Sequence, residues 1–541
     1  MPLMTGGEAI VRSLIAQGVN TLFALPGVQN DPLFVALHDA AGQIRVVHTR
    51  HEQGAAYMAY GYAAATGGAG AYAVVPGPGF LNTTAALSTA YAANARVLCL
   101  TGQIPSKFIG RGAGFLHEIP DQLGVMRALT KWAARIETPA DTPARMAEAF
   151  GRMFSGRPRP VGLEMAMDQM AREQEVGPPM ASPTTAPPEP DADAIAAAAK
   201  ILGRAKRPLL FVGGGAAAAG EQVAALAELL QAPVIATPAG LGVLSSRHPF
   251  SHAMPAGHRL WAGADAVLAV GTRLFRQMAT WGLDDALPIV RVDIDPDEPA
   301  RLAAPAVAIV ADAAPALTQL LAALEKTNQT RPDRRDEMTT LREEVAASIA
   351  GLEPQLSFLK VIREELPDDG IFVEELTQVG YASRFAFPVY SPRTYIDSGY
   401  QGTLGWGFAG AIGAKIAHPG RQVISISGDG GFLFNAQELA TAVHHRVALV
   451  ALVFNDGAFG NVKRMQKEDY GGRLIASELT NPDFVKLAES FGAQGLRAKT
   501  PEQLRAAIRR GFAGDGPTLI EIPVGEMASP WPHVVFPKVR G

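Results

Sequence analysis

The sequence contains a single cysteine among its 541 residues, Cys99, which lies in an apolar run. One cysteine excludes a disulfide within the chain and any zinc site built from several cysteines. The chain also has little excess charge, since 48 basic and 52 acidic side chains give a net charge of −4. This near balance gives no electrostatic reason to expect binding to nucleic acid or to an anionic membrane.

Long apolar runs are missing as well. No uninterrupted stretch reaches the roughly 18 residues that a membrane-spanning helix needs. The N-terminus also lacks the basic region, apolar core and small-residue cleavage site of a secretory signal. We therefore expect a cytoplasmic protein without a membrane partner. Its length predicts about three or four domains, and 48% hydrophobic residues are enough to form substantial cores.

Two compositional breaks divide the chain. The first, Gly177 to Pro190, is rich in proline, serine and threonine and predicts an extended linker. The second is the charged stretch from Lys326 to Arg342, part of which is typical of a solvated helix. Strand-like and helix-like segments alternate in all three blocks, so we expect an α/β protein of parallel sheets with flanking helices. The predicted domains are residues 1–176, 191–326 and 350–541.

Two strand-like apolar runs end in acidic motifs. Val423 to Ser427 precedes Gly428-Asp429-Gly430-Gly431, and Val447 to Phe454 precedes Asn455-Asp456. The helix predicted between them begins at Asn435, with Glu438 as its capping-box partner. Because a strand, a crossover helix and a parallel strand bring both strand ends to one edge of the sheet, we expect the two motifs to meet there.

These motifs predict a site for Mg²⁺ and a diphosphate. Asp429 and Asp456 stand 27 positions apart and can face one ion, and Mg²⁺ usually takes one or two protein carboxylates together with phosphate oxygens. Gly428, Gly430 and Gly431 allow a diphosphate to approach the backbone closely. Their backbone N–H groups can then donate hydrogen bonds to the diphosphate oxygens. An ordinary tight turn explains either motif alone, but the pairing of the two favours the metal site.

The spacing of Gly428-Asp429-Gly430 and Asn455-Asp456 resembles the cofactor motif of thiamine diphosphate enzymes of the acetolactate synthase, pyruvate oxidase and benzoylformate decarboxylase family, with acetolactate synthase-like proteins as the nearest group. The resemblance implies thiamine diphosphate and Mg²⁺ as cofactors. In that family the second metal ligand is usually an asparagine, and a backbone carbonyl two residues later completes the protein ligands. The corresponding residues here are Asp456 and Ala458, with Asn455 as the alternative ligand.

Two further segments carry the same resemblance. Arg50-His51-Glu52-Gln53-Gly54 is similar to the family segment with the catalytic glutamate, which would place Glu52 against the aminopyrimidine ring. A glutamate at a helix start is by itself more often a partner of the helix dipole, so the motifs carry the assignment together. Gly402-Thr403-Leu404-Gly405 resembles the segment beneath the bent cofactor, with Leu404 as the supporting side chain and the Gly402 carbonyl as a hydrogen-bond acceptor.

Other candidates lie in segments that border the cofactor or the substrate in the family. Gly79 and Asn82 are candidate cofactor contacts, and Gln103 is a candidate catalytic residue. His117 stands where acetolactate synthases have a glutamine, and a neutral imidazole there can relay protons or hold a carbonyl group. A histidine satisfied at a domain surface is the alternative. His444-His445, at a predicted helix end, are interpreted as partners of the helix dipole.

The central block contains a loose match to a nucleotide-binding turn, Leu209 to Val212 followed by Gly213-Gly214-Gly215. The acidic residue that such sites place roughly 20 positions downstream is missing. Gly271 to Gln277 also departs from the segment that contacts FAD in some relatives. We therefore expect structural glycines here, and FAD belongs only to the oxidase alternative.

The resemblance covers essentially the whole chain and implies a pyrimidine-binding domain, a Rossmann-like central domain and a diphosphate-binding domain. The implied activity is decarboxylation of a 2-oxo acid with carboligation to a second carbonyl compound. The alternatives are a simple decarboxylase of the benzoylformate decarboxylase type and an FAD-containing, pyruvate oxidase-like enzyme. Val28, Val75 and Met278 replace the serine and the two histidines of the decarboxylase, whereas Asn461 and His117 favour carboligation. Because the family shares active sites between subunits, a homodimer or homotetramer is expected.

Overall fold

The computed structural model describes residues 1–183 and 185–541. Three six-stranded parallel sheets, each flanked by helices, confirm the predicted α/β class with three domains. Thr184, within the predicted linker, lies outside the described residues, and the linker has neither helix nor strand at residues 177–183 and 185–190. Within the described ranges, no helix combines the length and the apolar composition needed to cross a membrane.

The first domain contains eight strands and eight helices. Its strands are β1 (Leu3–Thr5), β2 (Thr21–Ala24), β3 (Arg45–His48), β4 (Gly70–Val74), β5 (Val97–Gln103), β6 (Trp132–Ile136), β7 (Val161–Ala166) and β8 (Glu173–Glu175). Its helices are α1 (Gly6–Ala16), α2 (Asp31–Asp39), α3 (Glu52–Thr66), α4 (Pro78–Leu81), α5 (Thr84–Ala92), α6 (Gln122–Leu129), α7 (Thr142–Phe154) and α8 (Met167–Ala171). The strand order is β3-β2-β4-β5-β7-β6, and β1 pairs with β8 in a separate antiparallel ribbon.

The central domain has the strand order of dinucleotide-binding folds. Its strands are β9 (Pro208–Val212), β10 (Val234–Ala236), β11 (Ser251–His252), β12 (Ala266–Val270), β13 (Ile289–Asp293) and β14 (Val307–Val310). Its helices are α9 (Ala192–Arg204), α10 (Gly220–Leu230), α11 (Met254–Trp261), α12 (Ala313–Thr327) and α13 (Arg335–Ile349). The order β11-β10-β9-β12-β13-β14 is that of a Rossmann sheet. A Cβ on Gly213 would lie 2.4 Å from the Gly271 carbonyl oxygen, so glycine is needed where these two turns pack.

The third domain repeats the topology of the first. Its strands are β15 (Ile371–Glu374), β16 (Tyr395–Ile396), β17 (Val423–Gly428), β18 (Val450–Asn455), β19 (Gln494–Arg497) and β20 (Thr518–Pro523). Its helices are α14 (Gln355–Glu365), α15 (Gln378–Ala386), α16 (Trp406–Ala417), α17 (Asp429–Phe432), α18 (Glu438–His444), α19 (Gly460–Glu468), α20 (Phe484–Ser490) and α21 (Pro501–Phe512). The strand order is β16-β15-β17-β18-β20-β19. When the six strands of each sheet are numbered along the chain, this order and that of the first domain's sheet are the same. The two domains therefore share one fold without a visible sequence repeat.

The predicted capping box at Asn435 is wrong. Helix α18 begins at Glu438, and no side chain caps its N-terminus. Asn435 and Glu438 bond instead to segments far away in the sequence, because those segments carry buried backbone groups that need partners.

Helices α3 and α16 join the first and third domains through direct backbone contact. A Cβ on Gly61 would lie 1.9 Å from the Gly410 carbonyl oxygen, and one on Gly413 would lie 1.9 Å from the Met58 carbonyl oxygen. Tyr60 packs against Trp406, the first residue of α16, with ring centroids 5.4 Å apart. The buried side chains of both helices belong to one continuous apolar core.

We expect Gly413→Ala to lower the thermal midpoint of unfolding. Alanine normally stabilises a helix interior over glycine by roughly 0.5–1 kcal/mol, but overpacking at this crossing should cost about 1–3 kcal/mol. Differential scanning calorimetry measures the difference. Gly420→Ala is the matched control, because a Cβ there meets no atom within 4 Å. Equal midpoints for Gly413→Ala and the control would contradict the close contact.

Candidate functional site

The two acidic motifs meet at the carboxyl ends of β17 and β18. These strands are parallel neighbours, with Gly428 opposite Phe454. Asp429 is buried, with 1% of its surface exposed. Burial and the negative charge of Asp429 together raise the pKa of Asp456 to about 7. Like charges on the buried Asp429 and the half-buried Asp456 repel each other, and a divalent cation between them would relieve that cost.

Hydrogen-bond donors surround the Asp429 carboxylate. The N–H of Gly457 donates to its Oδ2 over 3.0 Å, and the side-chain amide of Asn481 donates to the same atom over 2.5 Å. Asn481 also donates to Asn455 Oδ1 over 3.0 Å, while the amide of Asn455 donates to Glu521 over 2.9 Å. The side chain of Asn455 therefore has protein partners at both of its ends. The sequence motifs did not predict Asn481 as a residue of the site.

The glycines around Asp429 differ in what they face. A Cβ on Gly430 would lie 2.5 Å from the ring of Phe459, and one on Gly431 would lie 1.9 Å from Glu375 Oε1. At Gly428 the nearest atoms would be 3.9 Å away. Gly430 and Gly431 thus pack tightly against protein groups, and the backbone at Gly428 borders open space.

The sequence motifs did not predict Glu375 either, although its side chain connects several parts of the site. Its side chain is fully buried. Its two carboxylate oxygens accept the N–H groups of Gly405 and Gly407, each over 2.8 Å, and the Ser427 hydroxyl donates to it over 3.2 Å. Burial nevertheless raises the pKa of Glu375 to about 7. The acidic residues at the end of β15 were the available signal.

The turn at residues 402–405 is held in an unusual backbone conformation. Gly402 has φ +59° and Gly405 has φ +79°, in the region that favours glycine. The amide of Asn435 donates to the Gly405 carbonyl over 2.6 Å. Leu404, between these two glycines, is half-buried. The predicted supporting side chain thus stands on a turn whose Gly405 end is held by Glu375 and Asn435.

Three of the predicted residues form a cluster in the first domain. Glu52 is the first residue of α3, and the amide of Asn82 donates to its Oε2 over 3.0 Å. A Cβ on Gly79 would lie 3.5 Å from Glu52 Oε1. The Glu52 carboxylate, Asn82 and the Gly79 backbone are therefore brought together within one domain.

A carboxylate of the third domain anchors the start of α3. Glu438 accepts the N–H of His51 over 3.0 Å and that of Arg50 over 3.3 Å. Burial raises the pKa of Glu438 above its ordinary value. In the part of the chain that the structure describes, Glu52 itself makes no hydrogen bond or ion pair to Asp429 or Asp456.

His117 and Gln103 have different surroundings. His117 has φ +70°, and its Nδ1 is buried without a hydrogen-bond partner among the described residues. Its carbonyl oxygen would lie 2.3 Å from a Cβ on Gly77, which brings it to the turn before α4. The side chain of Gln103 donates to Glu164 over 3.2 Å and accepts the Ile104 N–H over 2.8 Å. Gln103 is therefore tied into a buried network.

Comparison with known proteins identifies this arrangement. Residues 4–125, 195–320 and 377–522 match the models of the N-terminal TPP binding domain, the central domain and the C-terminal TPP binding domain of thiamine pyrophosphate enzymes. The chain belongs to the thiamine pyrophosphate enzyme family. Thiamine pyrophosphate is another name for thiamine diphosphate, so the predicted family resemblance is confirmed.

Relatives of this thiamine pyrophosphate enzyme match nearly its full length. It is 36% identical to a probable 2-ketoarginine decarboxylase of Pseudomonas aeruginosa, over 96% of this chain and 94% of the relative. It is 34% identical to a probable acetolactate synthase large subunit of Methanocaldococcus jannaschii, over 96% and 92% of the two chains. It is 33% identical to the acetolactate synthase isozyme 2 large subunit of Escherichia coli, over 98% and 97%. The protein is thus a thiamine pyrophosphate-dependent enzyme of the acetolactate synthase family.

We expect Glu375→Gln to change how stability depends on pH. A carboxyl whose pKa rises from 4.5 to about 7 on folding keeps its proton in the folded state between these pH values. The contribution of Glu375 to the free energy of unfolding is therefore fully present below pH 4.5 and is lost as the pH rises through 7. The loss amounts to up to about 3 kcal/mol, at roughly 1.4 kcal/mol per pKa unit. The thermal midpoint of Glu375→Gln, measured relative to that of the unsubstituted protein, should therefore rise as the pH is raised from 5 to 8.

Thermal unfolding without added cofactor measures this difference. Asp368→Asn is the control, because Asp368 is exposed, pairs with Arg247 and has a lowered pKa, so it titrates below this window. A Glu375→Gln difference that stays constant from pH 5 to pH 8 would contradict the raised pKa.

Proposed function

We propose that this enzyme uses thiamine diphosphate and Mg²⁺ to decarboxylate a 2-oxo acid and to join the product to a second carbonyl compound. The observation that carries the proposal is the meeting of Asp429 and Asp456 at the ends of adjacent strands. When bound, thiamine diphosphate supplies the electron sink that lets a 2-oxo acid lose CO₂. The protein contributes binding, orientation and proton transfer.

The residues at the acidic pair fit a magnesium ion and a diphosphate. The carboxylates of Asp429 and Asp456 and the carbonyl of Ala458 are the proposed metal ligands, and all are oxygen donors, which Mg²⁺ prefers. Two buried amide oxygens close to the pair, Asn481 Oδ1 and Gln378 Oε1, have no hydrogen-bond partner in the described chain. Buried polar atoms of this kind are costly unless a ligand or water satisfies them. Asn455 is the weaker ligand candidate, since its side chain is already occupied.

The organic part of the cofactor would be held by the remaining candidates. The backbone N–H groups of Gly428, Gly430 and Gly431 would bond the diphosphate, and Leu404 and the Gly402 carbonyl would support the rings. The Glu52 carboxylate would hold the aminopyrimidine of a cofactor bound to the third domain of another subunit, with Asn82 and Gly79 beside it. A homodimer or homotetramer with shared sites follows from this arrangement.

His117 and Gln103 are proposed to act on the substrate side in different ways. The unpartnered Nδ1 of His117 can hold or deliver a proton, and its left-handed backbone is the kind of strain that clusters at active sites. Gln103 is proposed to position the loop that follows β5, because both ends of its side chain bond within the protein.

Decarboxylation without carboligation is the second candidate function. The observation that favours it is the 36% identity to a probable 2-ketoarginine decarboxylase over 96% of this chain. That likeness also makes a 2-oxo acid with a basic side chain a candidate substrate. The oxidase alternative gains no support from the glycines of the central domain, because the close packing of Gly213 against Gly271 accounts for both of them.

A substrate panel tests the proposal. We expect the enzyme with thiamine diphosphate and Mg²⁺ to release CO₂ from a 2-oxo acid and to form a hydroxyketone product when a second 2-oxo acid or an aldehyde is present. Donors with short aliphatic, aromatic and guanidino side chains should be compared, with products identified by mass spectrometry. Release of aldehyde alone would select the decarboxylase, and flavin absorbance in the purified protein would select the oxidase.

In the same assay, Glu52→Gln should lower turnover at least about 100-fold, the usual contribution of a proton-transferring carboxyl. Thiamine diphosphate binding should change little, because the proposed diphosphate and metal ligands are intact. Glu489→Gln, an exposed carboxylate on α20, is the matched control. Undiminished activity of Glu52→Gln would refute the role of Glu52.

Asp456→Ala should weaken Mg²⁺ binding by at least about ten-fold, because one of the two carboxylates is lost. Asp456→Asn keeps an oxygen ligand and removes repulsion with Asp429, so its Mg²⁺ affinity should be preserved or increased. Titration of Mg²⁺ in the presence of thiamine diphosphate, followed by calorimetry, measures both. Asn455→Ala is the comparison variant, and a larger loss there than in Asp456→Ala would move the ligand to Asn455.

A further inference from the structure

Three histidines from two domains meet beside the junction of the first and third domains. His48 is the last residue of β3, His444 is the last residue of α18, and His445 follows it. One ring nitrogen from each lies within 4.8 Å of those of the other two. The ring of His48 lies 4.5 Å from that of His444 and 5.0 Å from that of His445, measured between centroids.

Two adjacent histidines at the end of α18 face the same partner. Side chains at neighbouring positions inside a helix point in directions about 100° apart. Here the helix ends at His444, and His445 is its C-cap residue. The rings of His444 and His445 lie 4.8 Å apart, and both lie against the ring of His48.

Burial favours the neutral, metal-binding form of two of the three imidazoles, those of His48 and His445. Burial, followed by the charges of His444 and Arg50, lowers the pKa of His48. Burial, followed by His48 and His444, lowers the pKa of His445 to about 4. At neutral pH a proton therefore does not compete for the His445 nitrogens. This also corrects the expected dipole role of His445, because a neutral ring adds no positive charge at the helix end.

An independent feature points to a missing partner. His445 Nε2 is buried and has no hydrogen-bond partner in the described part of the chain. A buried nitrogen of this kind is costly when it is left unsatisfied. His444 is exposed, so an ion in solution can reach the group directly.

We propose that His48, His444 and His445 form a binding site for a transition-metal ion such as Zn²⁺, with water in the fourth position. Zinc binds imidazole nitrogen at about 2.0–2.1 Å in tetrahedral geometry, which requires nitrogens about 3.3 Å apart. The ring nitrogens lie within 4.8 Å of one another, so ion binding would require the three side chains to rotate closer together. The nearby arginines, Arg45 and Arg50, are exposed, and solvent and salt screen their repulsion of a cation.

The site would connect the two domains where the candidate catalytic glutamate begins its helix. His48 stands four residues before Glu52. Between them, Arg50 and His51 donate their backbone N–H groups to Glu438 of the helix that ends at His444. An ion bound by all three histidines would therefore reinforce a contact that already exists between β3, the start of α3 and α18.

Zinc binding to the full-length protein tests the inference. The protein is saturated with thiamine diphosphate and excess Mg²⁺, which keeps zinc from the acidic pair, and is titrated with Zn²⁺ against a chromophoric chelator. We expect about one zinc ion per chain at this site, and at least ten-fold weaker binding in His444→Gln and His48→Gln. His38→Gln is the matched control, because His38 is an exposed histidine beside Asp39 and outside the cluster.

A second measurement guards against a folding defect in the variants. Zinc should raise the thermal midpoint of the unsubstituted protein and of His38→Gln, and it should not raise that of His444→Gln. His444 is exposed, so its replacement leaves the core intact. Equal zinc affinity in His444→Gln and His38→Gln, or an equal rise in their midpoints, would overturn the proposal.

Discussion

The backbone contact between α3 and α16 is the constraint on which the arrangement of the site depends. The candidate catalytic residue Glu52 is the first residue of α3, and the turn carrying Leu404 leads directly into α16. Since the two helices cross with Gly61 against Gly410, neither can shift without moving one of these segments. A larger side chain at the crossing would separate the helices and displace both segments. The interdomain packing and the chemistry are thus set by the same glycines.

Buried carboxylates fix the segments that the helices carry. Glu375 holds the backbone of the turn before α16, and Glu438 holds the backbone before α3. Burying a carboxylate is costly, and the raised pKa values of both groups reflect this cost. Each carboxylate accepts at least two backbone N–H groups, which offset part of the cost and leave the main chain little freedom. Burial of these two carboxylates therefore lowers the stability of the fold but fixes the backbone before α3 and before α16.

The sequence was sufficient for features whose cause is local or follows from parallel-sheet topology. The meeting of Asp429 and Asp456 is one of these, because both residues end consecutive apolar strands. The contacts of Glu375, Glu438 and Asn481 could not be predicted, since the partners of these side chains in Gly405, His51 and Asp429 lie 30, 387 and 52 residues away. The incorrect capping box at Asn435 has the same origin, because a distant carbonyl replaced the local partner. The common fold of the first and third domains leaves no visible sequence repeat, because strand order is set by backbone pairing.

Each of these two domains assembles its part of the candidate site from its own residues. Glu52 is bonded to Asn82 within the first domain, and Asp429 is bonded to Gly457 and Asn481 within the third. Groups held by their own domain before a ligand arrives need little reorganisation when it binds. A site made of two preformed parts requires only that the parts be brought face to face. The placement of polar groups within each domain is therefore compatible with the proposed sharing of active sites between copies of the chain.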